Sequence, residues 1–374
     1  MSAPPASPER TLRIERGRAF TLDQTRLPHA RVEIELADAQ ACAHAIASMQ
    51  VRGAPLIGAV GALGLALALR ADAGDAALER AHRLLAGTRP TAVNLGWALD
   101  RVRAAAAGLP HAERAEAAWR CALAVADEDV EINDAIGRHG AHRLAALAAA
   151  ASPARPLQIL THCNAGRLAT VALGTALAPV YRLHAAGVPL HVWVDETRPR
   201  NQGAALTAWE LADAGVPHTV IADNAGGLLM RQGRVDAAIV GCDRVARNGD
   251  AANKVGTYLK ALAARDCGVP FLVACPSPTI DFALAGGDAI PIEARSPREV
   301  THATGALEPD GDGPRDGRAV EVRLVPEGTR AYNPAFDVTP ARLVSALVTE
   351  RGACDASAEA LRALFPERWP REAT

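Results

Sequence analysis

The chain has 374 residues, 49% apolar and 22% charged, with 40 basic against 42 acidic side chains and a formal net charge of −2. That apolar content argues against disorder, and the balanced charge without a basic stripe or interleaved aromatics argues against a nucleic-acid surface, leaving small molecules or proteins as partners. The length exceeds one ordinary domain, so two units sharing a cleft are expected.

From the N-terminus, Met1 to Gly17 carries prolines and charges without an apolar stretch and reads as a loose tail, not a signal peptide. Alternating runs at Arg10 to Thr25 and Arg31 to Leu36 predict a small sheet. Helical patterns follow at Pro55 to Arg70, Ala76 to Ala86, Thr91 to Ala107 and Ala112 to Ala150. The first of these is apolar, but it is shorter than the roughly 20 residues of a membrane span and holds three glycines, so a buried core helix is predicted and no membrane partner. Prolines at 153 and 156 mark a boundary between a mainly helical N-terminal domain, 1–150, and a second domain, 151–374.

Beyond the boundary, short apolar strands are predicted at Leu157 to His162, Leu190 to Asp195, His218 to Asp223, Ala237 to Asp243 and Phe271 to Cys275. Helical segments alternate with them at Ala169 to Ala186, Ala204 to Ala214, Gly226 to Arg231 and Lys254 to Asp266. The expected fold is α/β: a Rossmann-like, doubly wound parallel sheet preceded by the smaller helical domain. Gly311 to Gly317 is expected to be a turn-rich surface loop. The seven cysteines have no Cys-x-x-Cys spacing, which fits a reducing cytoplasm and argues against a disulfide framework or zinc knuckle.

Ligands of open α/β sheets bind beyond the strand ends, so residues there are candidates for chemistry. Thr161-His-Cys-Asn-Ala-Gly166 is predicted to deliver Cys163 to a helix N-terminus, where thiolate character is favoured. His162 points to the opposite face by strand alternation and is expected to be a satisfied structural histidine. Asp243 closes an apolar strand, where desolvation would suit a general acid. Arg52-Gly53-Ala54-Pro55, Thr88-Arg89-Pro90-Thr91 and Asn253-Lys254 each place a basic residue at an expected helix start, a pattern that suits phosphate. Asp195 to Pro199 is expected to be a self-satisfied charged turn, and Gln202 can offer an amide to a sugar hydroxyl. No metal-binding or nucleotide-cofactor motif is present, so neither a metal nor a cofactor is expected.

Taken in order, Arg52-Gly-Ala-Pro-Leu-Ile-Gly58, Thr161 to Gly166, Asp195-Glu-Thr-Arg-Pro199, Gln202-Gly-Ala204, Gly241-Cys-Asp-Arg244, Asn248-Gly-Asp250, Asn253-Lys-Val-Gly256 and Tyr332-Asn-Pro-Ala-Phe-Asp337 resemble the methylthioribose-1-phosphate isomerases. The likeness extends from Leu22 to Gly352. It implies a cytoplasmic, cofactor-free homodimer of methionine salvage acting on a sugar phosphate. Cys163 and Asp243 fall on the catalytic pair, and Arg52, Gly53, Ala54, Arg89, Gln202, Asn253 and Lys254 on substrate-binding positions. Three positions depart from the pattern: Ala205 stands where arginine is expected, Cys242 where alanine is expected, and Ala251 where threonine is expected.

A phosphate on the anomeric carbon prevents the sugar from opening to a free aldehyde, so the ring must open with the phosphate attached. Asp243 is expected to protonate the ring oxygen while the basic residues hold the phosphate. Cys163 then takes the C2 proton, or a hydride shifts from C2 to C1 beside it; solvent deuterium in the product separates the two routes. Two alternatives share the fold: a ribose-1,5-bisphosphate isomerase, which needs a second cationic site, and a non-catalytic regulatory subunit of the translation-initiation exchange factor.

Overall fold

A computed structural model describes residues 9–89, 92–150, 155–307 and 319–370. The expected glycine-rich loop at 311–317, the tail up to residue 8 and most of the boundary segment lie outside the described residues.

Three short strands, β1 (Leu12–Glu15), β2 (Arg18–Leu22) and β3 (Glu33–Glu35), form an antiparallel sheet. Helices α1 (Ala39–Ala47), α2 (Ala54–Ala71), α3 (Asp75–Ala86), α4 (Val93–Ala106) and α5 (His111–Ala150) follow. The α1 helix is an addition to the sequence reading; the Asp38 carboxylate caps it by accepting from the Ala41 N–H at 2.7 Å. Apolar on nearly every face, α2 is surrounded by α1, α3, α4 and α5, which is how an all-round apolar helix stays in water.

The second half opens with β4 (Leu157–Thr161), α6 (Leu177–Ala185), β5 (Leu190–Asp195), a π-helical turn at Gly203–Thr207 running into α7 (Ala208–Asp213), β6 (His218–Ile221), α8 (Ala225–Arg231) and β7 (Ala237–Val240). It continues through β8 (Arg244–Ala246), β9 (Ala251–Lys254), α9 (Thr257–Asp266), β10 (Phe271–Ala274), β11 (Ile280–Asp281), α10 (Arg298–Thr301), β12 (His302–Ala306), β13 (Ala319–Arg323), β14 (Phe336–Thr339), β15 (Ala346–Thr349), β16 (Gly352–Cys354) and α11 (Ala358–Leu364). The protein is thus mixed α/β, with helical regions beside a parallel sheet.

That sheet has seven strands in the order β16-β15-β10-β7-β4-β5-β6. All neighbours are parallel except β15 and β16. The five strands expected from sequence are all in it, each with the start position predicted. A second sheet, β11-β8-β9-β14, and the hairpin β12-β13 were not foreseen.

Three expected helices begin differently. Residues 164–176 form an irregular segment with a single 3-10 turn at Arg167–Ala169, so the helix expected from Ala169 starts only at Leu177. The segment stays irregular because the buried Glu210 carboxylate takes the Arg167 and Leu168 N–H groups at 2.7 and 3.1 Å, in place of helical carbonyls. The helix expected from Lys254 starts at Thr257, since Asn253 and Lys254 are paired to Asp337 and Phe336 as strand. The helix expected from Ala204 starts as the π turn. Its Gly203 is required by close approach: a Cβ there would stand 1.7 Å from the Asp195 carbonyl oxygen.

The long α5 is about 60 Å end to end at 1.5 Å per residue, and it serves two cores. Trp119, Ala122 and Val125 pack with α2 and α4, whereas Ile136 and Leu144 pack with β4, β5 and α6. Between them, the Asp129 carboxylate accepts from the Val171 N–H at 2.7 Å and so ties the 164–176 segment to α5. Burial pushes the Asp129 carboxyl up to about 7, despite the Val171 hydrogen bond that favours the charged form. With the folded value above the unfolded one, the native state holds the extra proton, and its contribution to stability is lost as pH rises through 7. Replacing Asp129 by Asn should therefore flatten the fall in unfolding free energy between about pH 4 and 7, an effect of a few kcal/mol, measured by urea denaturation at several pH values.

Candidate active site

The chain lays down β4, then β5 and β6 on one side, then returns to place β7 on the other side of β4. The strand order reverses at β4/β7, and the crevice outside the carboxyl ends of two such strands is where open α/β sheets bind ligands. Cys163 follows β4 and Asp243 follows β7. Both line one cavity, together with Arg52, Gly53, Ala54, Arg89, Gln202, Asn253 and Lys254. Every site residue singled out in the sequence is brought to this one cavity. The sequence reading missed Arg295, Met49, Asn164 and Phe336, which also line it.

Cys163 does not stand at a helix N-terminus, so the helix-dipole argument for its thiolate falls away. Its backbone is left-handed, φ 66°, a conformation that costs a non-glycine residue of order 1–3 kcal/mol and persists only when its surroundings enforce it. Two threonines do so. The Cys163 N–H donates to Thr197 Oγ1 at 2.8 Å, and its carbonyl accepts from Thr207 Oγ1 at 2.7 Å. Because strand geometry ends at Thr161, alternation no longer separates the neighbours, and His162 lines the same cavity as Cys163.

His162 is satisfied, as expected: Nδ1 lies 2.9 Å from Asp195 Oδ2 and Nε2 lies 2.9 Å from the Val255 carbonyl. With Asp223, this pair makes the one group among the described residues whose ligand atoms lie close enough together to hold a metal, within 4.8 Å. A cation is already there. Lys260 Nζ sits 3.3 Å from the same Asp195 oxygen, so the donor set fits a buried ion-pair network better than a metal.

Arg52 precedes α2, with Gly53 as its N-cap and proline at the start of the helix. Gly53 has φ 94°, and a Cβ on it would stand 2.4 Å from the Ala169 carbonyl oxygen, so only glycine admits this turn. The Arg52 guanidinium donates to both oxygens of Asn164, the carbonyl at 2.6 Å and the side-chain Oδ1. Asn164 Nδ2 donates in turn to Glu210 Oε1 at 2.8 Å. A buried carboxylate thus orients a buried arginine through one amide.

Three more cations line the cavity. Lys254 Nζ donates to the Ala335 carbonyl at 2.7 Å and sits 4.7 Å from the centre of the Phe336 ring. Arg295 Nε donates to Glu293 Oε1 at 3.0 Å, and Arg89 Nε stands 3.6 Å from Glu293 Oε2. Arg89 is not at the first turn of a helix: α4 begins at Val93, and Pro90 and Thr91 are outside the described residues. Burial lowers the Lys254 ammonium to about 8, helped by the neighbouring Arg295, while Cys163 and Asp243 oppose the shift. Arg89 is lowered as well, chiefly by burial and then by Arg295. Four cations facing one cavity, with Glu293 the acid paired to two of them, are arranged for a multiply charged anion. Gln202 adds a buried Oε1 that lacks a hydrogen-bond partner.

A model of the Initiation factor 2 subunit family matches residues 50–356. A methylthioribose-1-phosphate isomerase of Methylocella silvestris is 58% identical over 348 residues, covering 93% of both chains. The chain belongs to the methylthioribose-1-phosphate isomerase family. The solved 5-methylthioribose 1-phosphate isomerase of Pyrococcus horikoshii superposes with a TM-score of 0.82 at 39% identity, covering 96% of each chain. A structure described as the delta subunit of translation initiation factor eIF-2B from A. fulgidus gives 0.77 at 37% identity, covering 96% of this chain and 99% of that one.

The lowered lysine gives a pH test. Lys254 is charged below about 8 and loses its proton above it, so kcat/KM for an anionic substrate should fall as pH rises through that value. Lys254→Arg keeps its charge and should move this limb to higher pH; an alkaline limb unchanged in the variant contradicts the assignment.

Proposed function

We propose that this protein converts 5-methylthioribose 1-phosphate to 5-methylthioribulose 1-phosphate in methionine salvage, an aldose–ketose isomerisation that uses no cofactor. The observation that carries the reading is the meeting of a thiol and a carboxylate at the sheet's reversal point, inside a ring of four cations. The reading includes a helical N-terminal domain, 1–150, that supplies Arg52 and Arg89 to a Rossmann-like domain, 151–374. It also includes a cytoplasmic homodimer.

In this mechanism Arg89, Lys254 and Arg295 hold the C1 phosphate, with Arg52 and the backbone N–H groups at Gly53 and Ala54 closing the opposite side. Asp243 donates a proton to the ring oxygen as the bond between that oxygen and C1 breaks. The phosphate stays on C1. Hydrogen then moves from C2 to C1 beside Cys163, and the C2 hydroxyl gives up its proton, which restores the Asp243 carboxyl, leaving a carbonyl at C2 and a methylene at C1. Gln202 and Asn253 bind sugar hydroxyls. The Gln202 Oε1 is buried without a hydrogen-bond partner, and a sugar hydroxyl supplies one.

Direct assay of the purified protein on 5-methylthioribose 1-phosphate tests the reading. Cys163→Ser and Asp243→Asn should each lower kcat by about 10²- to 10⁴-fold, the range that positioned acid–base groups contribute. Full activity in both variants sinks the assignment. Thr207→Val removes the hydroxyl that holds the Cys163 carbonyl and should cost kcat about tenfold or more, as small misplacements of reacting groups do, with KM nearly unchanged.

A further inference from the structure

Arg89, Lys254 and Arg295 reach the cavity from distant parts of the chain, and one short bridge gathers them. Residues 293–295 run antiparallel to 333–335, with Ala294 facing Pro334. The Ala335 N–H donates to the Glu293 carbonyl at 2.8 Å and the Arg295 N–H to the Asn333 carbonyl at 2.9 Å. The Ala335 carbonyl accepts from Lys254 Nζ at 2.7 Å, and the ring of the next residue, Phe336, is centred 4.7 Å from Lys254 Nζ and 5.6 Å from the Arg295 guanidinium carbon. A neighbouring cavity shares Met49, Arg52 and Gln202 with this one but none of these three cations, so the cluster serves one cavity only.

The bridge brings one acid to the cluster. Glu293 Oε1 accepts from Arg295 Nε at 3.0 Å, and Oε2 forms an ion pair with Arg89 Nε at 3.6 Å. Both contacts use Nε, the donor nearest the chain in a guanidinium that has five. The terminal nitrogens are left uncommitted: among the described residues no hydrogen bond takes those of Arg295, and those of Arg89 meet only the Met49 sulfur, at 3.4 Å. Arg52 is the reverse case, with both terminal nitrogens spent on Asn164. The Arg89 and Arg295 side chains are only 11% and 9% exposed, and they repel, since burial first and Arg295 second lower Arg89. An acid between them offsets that repulsion and fixes where the two forks stand.

We propose that Glu293 is a positioning residue for phosphate binding: it holds Arg89 and Arg295 on one carboxylate by their Nε atoms, so that their terminal nitrogens are presented together to the anion. That the anion is the C1 phosphate of a sugar rests on the function proposed above. Charge alone gives Glu293 the opposite role, because an acid beside a phosphate repels it, and the two roles differ in the sign of the effect when the acid is removed.

The test measures the affinity for inorganic phosphate by calorimetry, and the kinetics on 5-methylthioribose 1-phosphate, in Glu293→Ala and Glu293→Gln. Glu293→Ala should raise the phosphate Kd and the sugar KM about tenfold or more, the scale of one lost charge-assisted hydrogen bond. Its kcat should stay within about threefold, because Cys163 and Asp243 are untouched and only binding is weakened. Glu293→Gln keeps an acceptor for Arg295 Nε and should fall between the native protein and Glu293→Ala; it also keeps the shape, so it carries the test alone where Glu293→Ala does not fold. A phosphate Kd and a KM unchanged or lowered in both variants overturn the inference while leaving the proposed reaction standing, as does a loss confined to kcat. Phosphate binding weakened as expected in a protein that does not turn over the sugar supports the role of Glu293 and contradicts the proposed reaction. A native protein that neither binds phosphate nor turns over the sugar contradicts both.

Discussion

Two threonine hydroxyls hold Cys163 in a left-handed turn, and much of the cavity is assembled around that turn. Thr197 comes from the loop after β5 and Thr207 from the π turn before α7, so the cysteine is fixed from two elements at once. The next residue, Asn164, passes the constraint on, with Arg52 from the head of α2 on one side of it and Glu210 of α7 on the other. Glu210 also accepts from the Tyr181 hydroxyl at 2.9 Å and from two main-chain N–H groups of the 164–176 segment. One buried carboxylate therefore organises the irregular segment, orients an arginine and joins the helical half to the sheet. Burying a charge without partners is costly, and Glu210 is given four, one of which, Asn164, lines the cavity.

The electrostatics run against stability and in favour of an anion. Lys254 and Arg89 are held below their ordinary values by burial and by Arg295. Burial works to raise the Glu293 carboxyl, but its pairing with Arg295 and Arg89 outweighs that and holds it below its ordinary value. Such an arrangement stores unfavourable like-charge contacts that a phosphate relieves on binding. Strain at Cys163 and repulsion among the cations are thus two forms of one feature, a site prepared before the ligand arrives.

Five strands of the main sheet were legible because each is a short apolar run bounded by polar residues, and Cys163 and Asp243 were legible because they end two of those runs. That the two are neighbours is a fact of topology: it depends on β7 returning beside β4, which spacing alone does not specify. The helix starts were less legible. Asn253 and Lys254 read as a helix opening because the apolar periodicity of α9 lies just beyond them, but pairing with β14 across 81 residues of chain holds them as strand, and Asp337 takes the Gly256 and Tyr258 N–H groups at 2.6 and 3.1 Å. Arg295 sits in a segment without periodicity and gave no signal beyond its charge. Glu210, inside the helix expected from Ala204 to Ala214, drew no notice from its local pattern and is wholly buried. Long-range hydrogen bonding overrode local pattern in each case.

The central claim is that the cavity at β4/β7 binds a sugar 1-phosphate with its reacting carbons between Cys163 and Asp243. A crystal structure of the Cys163→Ser variant soaked with 5-methylthioribose 1-phosphate tests it most directly. The account predicts the phosphate within hydrogen-bonding distance of Arg89, Lys254 and Arg295, the ring oxygen within reach of Asp243, and C2 facing residue 163. A phosphate seated in the neighbouring cavity, or a sugar whose C1 and C2 lie away from both residues, would contradict it.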